Sequence, residues 1–499
     1  MLQANKYREF NIQQIFLLTI GSLICIEFSG YFPSGTQYLF FTILFYYILK
    51  RDKSAFILIA FILSHYSYGF EKGGFWNHII FLVLIYYYIQ NPRHLRKLTG
   101  NRLSNFLLTI LIIFSISGLI INGYLTYHQN IIYGFISFFS YILMFIFASQ
   151  IDFSQRILKL VIQTLSIGIV LMFLTGLNQR LSIITMEQSY LLGFNPFNYN
   201  KPYIESLSTL FNSELFGEYS MLLIGFFSPL FLSNKLYNSG KFNRVSIALI
   251  IIICSINLIL ARTRSAIILS VLLIPLITVI SLRFYRIYLN NYIFYILTVI
   301  LSSLIIIILG SYIGFSKSLE RFDDVNISKM TVSGVISGED INREGRIAFG
   351  LYRLSSKNWF LGNGWNTSDI NIINLSGHNV TINQMSKDTH DTGTFHSLYL
   401  TLPIYYGWFG AIAFILLFLN IIIQIWHIIF RRKTVMNFNP SIYISFFLFW
   451  VLFLIDEYKI EMNRSPNYQM MIWILLGLSF ALVNKANKLS AKNNENTYN

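Results

Sequence analysis

NYIFYILTVILSSLIIIILGSYIGF, residues 291–315, carries no charged side chain in 25 positions. A helix needs about 20 consecutive apolar residues to cross the hydrocarbon core of a bilayer. The other membrane architecture, a closed barrel, uses strands of roughly ten residues whose side chains alternate between lipid and lumen. The unbroken apolar run Leu304 to Leu309 inside this stretch does not alternate, so the stretch reads as a membrane-crossing helix.

Similar runs recur on both sides of it. Fourteen are expected as spans: 12–30, 34–49, 54–70, 75–90, 104–121, 131–149, 156–176, 213–233, 243–260, 263–281, 291–315, 397–429, 440–457 and 467–484. The composition agrees, with 55% hydrophobic and 12% charged residues in 499 and a mean hydropathy of +0.56. That excludes an ordinary soluble domain and implies an all-α polytopic membrane protein of about 12–14 helices. Lys6 and Arg8 precede the first run with no small-residue cleavage site after it, so Ile12 onward is expected as a retained first span. Cys25 and Cys254 both lie in apolar runs and make no disulfide or metal argument.

A formal net charge of +15 would suggest nucleic acid in a soluble chain. Here the distribution matters more. With the N-terminus cytoplasmic, 22 of the 37 Lys and Arg fall in or beside the inner connections. Seven (Lys72, Arg180, Lys201, Arg262, Arg264, Lys459 and Arg464) fall outside, apart from the one long polar interval. Positive residues collect on the cytoplasmic side of membrane proteins, so both termini are expected inside and residues 316–395 outside. The chain then divides into N-terminal helices (1–176), an outer polar loop (177–212) and central helices (213–315). A large outer loop (316–395), C-terminal helices (396–484) and a cytoplasmic tail (485–499) complete it.

The interval 316–395 is where chemistry is expected. Its charges nearly balance, eight basic against nine acidic, so it is not a general basic patch. The positive charge is local to REGRIAFGLYRLSSK, 343–357, where Arg343, Arg346 and Arg353 interleave with Ile347, Phe349, Leu351 and Leu354 in the manner of an amphipathic surface helix. WFLGNGW follows, with two glycines that permit close backbone approach. The Asn-rich 369–388 reads as loop. The loop between 178 and 212 contains Arg180, Glu187, Lys201 and Glu205 and is expected to lie beside it. Within spans, Glu27 is the clearest polar residue, read as an interfacial residue at the outer end of span one.

ARTRSA, 261–266, breaks the charge pattern. Arg262 and Arg264 sit at a very short outer connection. They read either as a snorkelling pair on lipid headgroups or as a clamp on phosphate or pyrophosphate, which planar guanidinium groups bind in bidentate fashion. The same alternatives apply to Arg343 and Arg346. For Arg353 and Lys357 a solvated charge run explains the pattern equally well. His396, at the outer start of the span after the loop, is the candidate base, with an interfacial cap as its bland alternative. His390 and Asp391 precede it in DTHDTGTFH. No HExxH or comparable ligand spacing is present and GNG lacks the Lys and Ser or Thr of a nucleotide loop, so neither a metal nor a nucleotide cofactor is expected.

In these residues the chain resembles the bacterial membrane family of O-antigen ligases and O-antigen or capsular polysaccharide polymerases. ARTRSA is similar to the family's span motif, with Arg262 at its Ser-Arg. Arg346 ahead of Phe349 and WFLGNG is similar to the arginine before its Pro-Leu-hydrophobic-Gly-x-Gly run. His396 corresponds to its histidine, and YYGWFG at 405–410 to the Gly-hydrophobic-x-Gly of the next span. The likeness covers about residues 245–430. Ala261 stands in place of the common Ser, Ser397 in place of Asn after the histidine, and Trp359 where Pro is common.

The resemblance implies a metal-independent inverting glycosyltransferase at the outer face of the bacterial cytoplasmic membrane. Its donor would be an undecaprenyl-diphosphate-linked glycan and its acceptor a sugar hydroxyl. His396, Arg346 and Arg262 are implied as catalytic, and Arg264, Arg343, Arg353, His390 and Asp391 as substrate-binding. Polymerisation of repeat units for capsule, exopolysaccharide or O-antigen is the expected activity, with single transfer by a ligase as the alternative. A flippase and a chain-length regulator are implied partners, besides membrane lipids, and nucleic acid is not. Outside this family a glycan transporter or a scaffold stays open. A transporter is expected to show internal repeats and midplane ionisable residues.

Overall fold

The computed structural model describes residues 9–27, 34–66, 69–97, 101–118, 128–181, 208–210, 213–232, 244–261, 263–284, 360–362, 372–375, 378–381, 397–431, 439–458 and 465–498, with residues 99, 120, 293 and 462. Among them the chain is largely helical: α1 (Ile12–Glu27), α2 (Ser34–Arg51), α3 (Lys53–Tyr66), α4 (Gly69–Gln90), α5 (Pro92–Lys97), α6 (Arg102–Gly118), α7 (His128–Ser149) and α8 (Gln155–Leu181) come first. A single 3₁₀ turn (Ser208–Leu210) leads to α9 (Ser213–Leu232), α10 (Arg244–Ala261) and α11 (Arg264–Phe284). Strands β1 (Ile372–Leu375) and β2 (His378–Thr381) then precede α12 (Leu398–Arg431), α13 (Pro440–Asp456) and α14 (Pro466–Tyr498). Thirteen of the fourteen expected spans overlap one of these helices, as helix and not as proven membrane crossing. The opening stretch, 291–315, lies outside the described residues except for Ile293.

Helix starts follow local chemistry. Asn11 Oδ1 accepts from Gln14 N at 2.8 Å while Gln14 Oε1 accepts from Asn11 N at 3.0 Å, a reciprocal cap. Asp52, Asn101, Ser154 and Asn439 cap α3, α6, α8 and α13 in the same sense, each accepting from a backbone N–H two or three residues on. Pro440 and Pro466 occupy the first helical position of α13 and α14, where a missing N–H costs nothing.

Among the described residues five helices are long and apolar enough to cross a membrane: Gln155–Gln179, Ser213–Leu232, Arg244–Ala261, Tyr405–Phe430 and Asn467–Leu489. Six shorter apolar helices accompany them. The bundle's outer surface is apolar as well. On α12, Ile412, Leu416, Leu419, Ile423 and Trp426 are exposed at three- and four-residue spacing, one face of the helix. An apolar face of that size turned outward suits lipid, not water.

α9 runs through the centre, every residue from Leu215 to Leu232 buried, against α10, α11 and α13. Around it α12 packs on α6, α14 on α7, α4 on α7 and α3 on α8. Gly477 lets α14 approach α7 so closely that a Cβ there would meet Phe145 O at 2.7 Å. Side-chain hydrogen bonds tie helices together at depth: Asn420 Nδ2 to Ser104 Oγ (2.8 Å), Asn77 Nδ2 to Tyr141 Oη (3.0 Å) and Trp450 Nε1 to Ser479 Oγ (2.9 Å).

The described connections gather at two ends. At one, Asp52 Oδ2 accepts from Arg156 at 2.9 Å and from Phe10 N at 3.1 Å, Asn484 Nδ2 donates to Thr99 O at 2.7 Å, and Lys485 pairs with Asp152 at 2.7 Å. These are connections expected to be cytoplasmic. At the other lie the end of α8, the start of α9, the α10–α11 junction, the start of α12 and the end of α13. These belong to the side expected to face outward.

Two expectations need correction. The interval 369–388 is not all loop: β1 and β2 pair antiparallel, Ile372 opposite Thr381 and Leu375 opposite His378, a short hairpin in an otherwise helical chain. The span 397–429 is not one regular helix either. Gly407 breaks α12 with φ 66° and ψ 171°, four residues after Pro403.

Candidate functional site

The second end of the bundle is assembled from short polar contacts. Thr263, the residue between Arg262 and Arg264, donates from Oγ1 to Ser213 O at 3.1 Å. It can do so because Gly217 has no side chain; a Cβ there would stand 2.6 Å from Thr263 Cβ. The α10–α11 junction is thereby fixed on the first turn of α9.

A second anchor joins α12 to α13. Leu398 N donates to Glu457 O at 3.0 Å, Glu457 Oε2 accepts from Met462 N at 3.1 Å, and the Tyr399 hydroxyl donates to Leu454 O. Ser397, which follows His396 in sequence, is buried beside this cap. A third anchor closes the return from the 177–212 loop: Ser208 N donates to Gln179 Oε1 at 2.7 Å and Ser208 Oγ to Met172 O at 2.6 Å.

The large loop touches the bundle at the break in α12. Phe360, Leu361 and Gly362 of WFLGNG lie against Tyr405–Gly407 of YYGWFG, so close that a Cβ on Gly362 would meet Tyr405 O at 2.6 Å. Gly362 has φ 72°, a conformation side chains resist. The Phe360 ring packs on Phe409 (5.1 Å between centroids) and Phe114 (6.0 Å), which pins the segment to α12 and α6. The expectation of close backbone approach at LGNG is met at Gly362.

Between these anchors lies a group of ionisable side chains that the sequence reading passed over. Glu218 of α9 is fully buried, with Asp456 of α13, Tyr468 of α14 and Glu214 one turn earlier as its charged or polar neighbours. Among the described residues neither Glu218 oxygen meets a donor at ordinary hydrogen-bond distance and angle, and the Tyr468 hydroxyl is the group that faces it. Glu457, also buried, faces Tyr468. At the next position of α9, Tyr219 Oη is 2.6 Å from His65 Nε2, while His65 Nδ1 is 2.7 Å from Phe61 O. Since Phe61 O can only accept, Nδ1 carries the proton and Nε2 accepts from the tyrosine, which makes His65 a satisfied neutral core histidine. Ionisable residues inside apolar runs, SELFGEYSMLLIG and FLIDEYK, were the available signal for Glu218 and Asp456.

Of the residues expected to act, Arg262, Arg343, Arg346, Arg353, His390, Asp391 and His396 lie outside the described residues. Arg264 opens α11, and its side chain is not described. The described residues place the neighbours of two of these motifs, Thr263 and Ser397, at the same end of the bundle, each on its own anchor. Among the described residues no group of three or more His, Cys, Asp or Glu is arranged to hold a metal ion. No family model matches this chain, and no curated protein matches it.

Proposed function

We propose that the protein is a polytopic enzyme of the bacterial cytoplasmic membrane, with about 12–14 spans, both termini inside and residues 316–395 outside. In this reading it polymerises undecaprenyl-diphosphate-linked repeat units by inverting, metal-independent transfer. The supporting observation is the shared end of the bundle, where Thr263, flanked by two arginines against the charge rule, and Ser397, preceded by His396, are both anchored. A diphosphate leaving group gains negative charge as the glycosidic bond breaks, and arginines touching its oxygens favour that state. A histidine beside them can take the proton of the acceptor hydroxyl. The buried Glu218 favours a second reading, a proton-coupled glycan transporter, since ionisable groups inside bundles mark proton paths.

Topology is tested first. Tags at Lys97, Arg283 and Arg432 should report from the cytoplasm, and tags within 325–340 from outside, because the basic residues segregate that way. A 325–340 tag shielded from external reagent in intact cells and labelled only after permeabilisation would reverse the arrangement.

Activity is tested with purified protein and a single lipid-linked repeat. A ladder of lengths that disappears in His396→Ala, with donor binding kept, is the expected result. One discrete product on a separate acceptor would make the protein a ligase; movement of unaltered donor across a vesicle would make it a transporter. An undiminished ladder in His396→Ala would remove the histidine from the mechanism.

A further inference from the structure

The end of the bundle that anchors Thr263 and Ser397 also buries carboxyl groups for which arginine and histidine chemistry has no use. Glu218 is 0% exposed, Asp456 2%, Glu457 0% and Tyr468 0%. Asp456 and Glu457 are tied into the end of α13, and Glu457 caps the Met462 N–H. Glu218 differs from them, because among the described residues its oxygens meet no donor at ordinary hydrogen-bond geometry and the Tyr468 hydroxyl is the group that faces them.

A charged carboxylate held in this way is costly, several kcal/mol by typical magnitudes, unless something binds it. Three kinds of ligand suit a carboxylate. A metal ion is disfavoured, since no three His, Cys, Asp or Glu among the described residues are placed to share one. A sugar hydroxyl needs an open surface, and none of the four side chains has one. A proton needs neither space nor further ligands, and two carboxyls that face each other out of water share one readily.

We infer that Glu218, with Asp456 and Tyr468 facing it, is a proton-binding site at the end of the bundle where transfer takes place. The groups that act on Glu218 are Asp456 at the end of α13, Tyr468 from α14 and Glu214 from its own helix, while Glu457, the residue after α13, acts on Tyr468. α10 contributes Cys254, which faces Tyr219 instead. Resting on the transferase reading, the site has a task. The acceptor oxygen bonds to the anomeric carbon, the bond from that carbon to the diphosphate oxygen breaks with its electron pair leaving on the diphosphate, and the acceptor hydroxyl proton is released. His396 takes that proton from the acceptor oxygen and passes it to the buried Glu218 carboxylate, which returns it to water before the next cycle.

Two measurements on the intact purified protein separate the site from the reaction. Infrared spectroscopy without substrate should show the carbonyl band of a buried protonated carboxyl that titrates with pH and is lost in Glu218→Gln. The rate of transfer by Glu218→Gln should fall roughly a hundredfold or more, the low end of what a proton-transfer group contributes, with an altered pH dependence. Asp456→Asn should shift the infrared titration without abolishing it, and serves if Glu218→Gln does not fold. A band and a pH profile both unchanged in Glu218→Gln would overturn the inference. A band that behaves as expected in a protein that transfers no glycan would keep the proton site and overturn the transferase reading.

Discussion

Arg262→Ala combined with Arg346→Ala is expected to reduce glycan transfer by several orders of magnitude while leaving the amount of protein in the membrane unchanged. Each guanidinium, in the proposed mechanism, donates a charge-assisted pair of hydrogen bonds to diphosphate oxygens as the leaving group departs. Removing one preorganised donor of that kind costs about 3–4 kcal/mol in the transition state, roughly 10²–10³ in rate. The two act on one leaving group, so the double loss need not equal the sum of the single ones. Lysine at either position should restore little, since it keeps the charge and loses the planar fork. Arg264→Ala and Arg343→Ala should matter less. Turnover at the wild-type level in a normally abundant double variant would end the clamp hypothesis.

The helical frame was legible because its signals are local. Apolar runs gave the helices, and Asn11, Asp52, Asn101 and Asn439 stand where starts are expected, since a side-chain acceptor two or three residues upstream of an orphan N–H is a short-range arrangement. The β1–β2 hairpin was also legible. INLSGHNVT carries two short strands around Ser376–Gly377, a two-residue connection of hairpin type, but the Asn content of the interval weighed toward loop. Glu218 and Asp456 were visible as acids in apolar runs. What the linear order hides is that α9, α13 and α14 bring them to one place. The arginine and histidine motifs are the reverse case, readable in sequence and lying outside the described residues. The contact between WFLGNG and YYGWFG shows why such pairs escape: the two segments are more than forty positions apart, and nothing in either names the other.

That contact carries the largest structural effect expected of a single methyl group. Gly407→Ala should lower the thermal stability of the detergent-purified protein strongly, for two reasons that add. At φ 66° and ψ 171° the residue occupies a region that essentially only glycine visits, with a strain of about 1–3 kcal/mol for any other. The new Cβ would also collide with Phe360 O and stand 2.8 Å from Phe360 C and 2.9 Å from Leu361 C. These are backbone atoms that cannot rotate aside as a side-chain tip does, and overpacking of this kind costs a further 1–3 kcal/mol or so. Gly362→Ala should act similarly through Tyr405 O and Tyr405 C, at 2.6 and 2.7 Å. Gly35→Ala is the control, with nothing within 4 Å of the added carbon. A melting transition of Gly407→Ala indistinguishable from that of Gly35→Ala would mean that the loop does not dock at the break in α12. If the docking holds, the loss of stability should come with a loss of Phe360 protection from protease, because the Phe114–Phe360–Phe409 ring cluster can form only while the two glycines let the backbones meet.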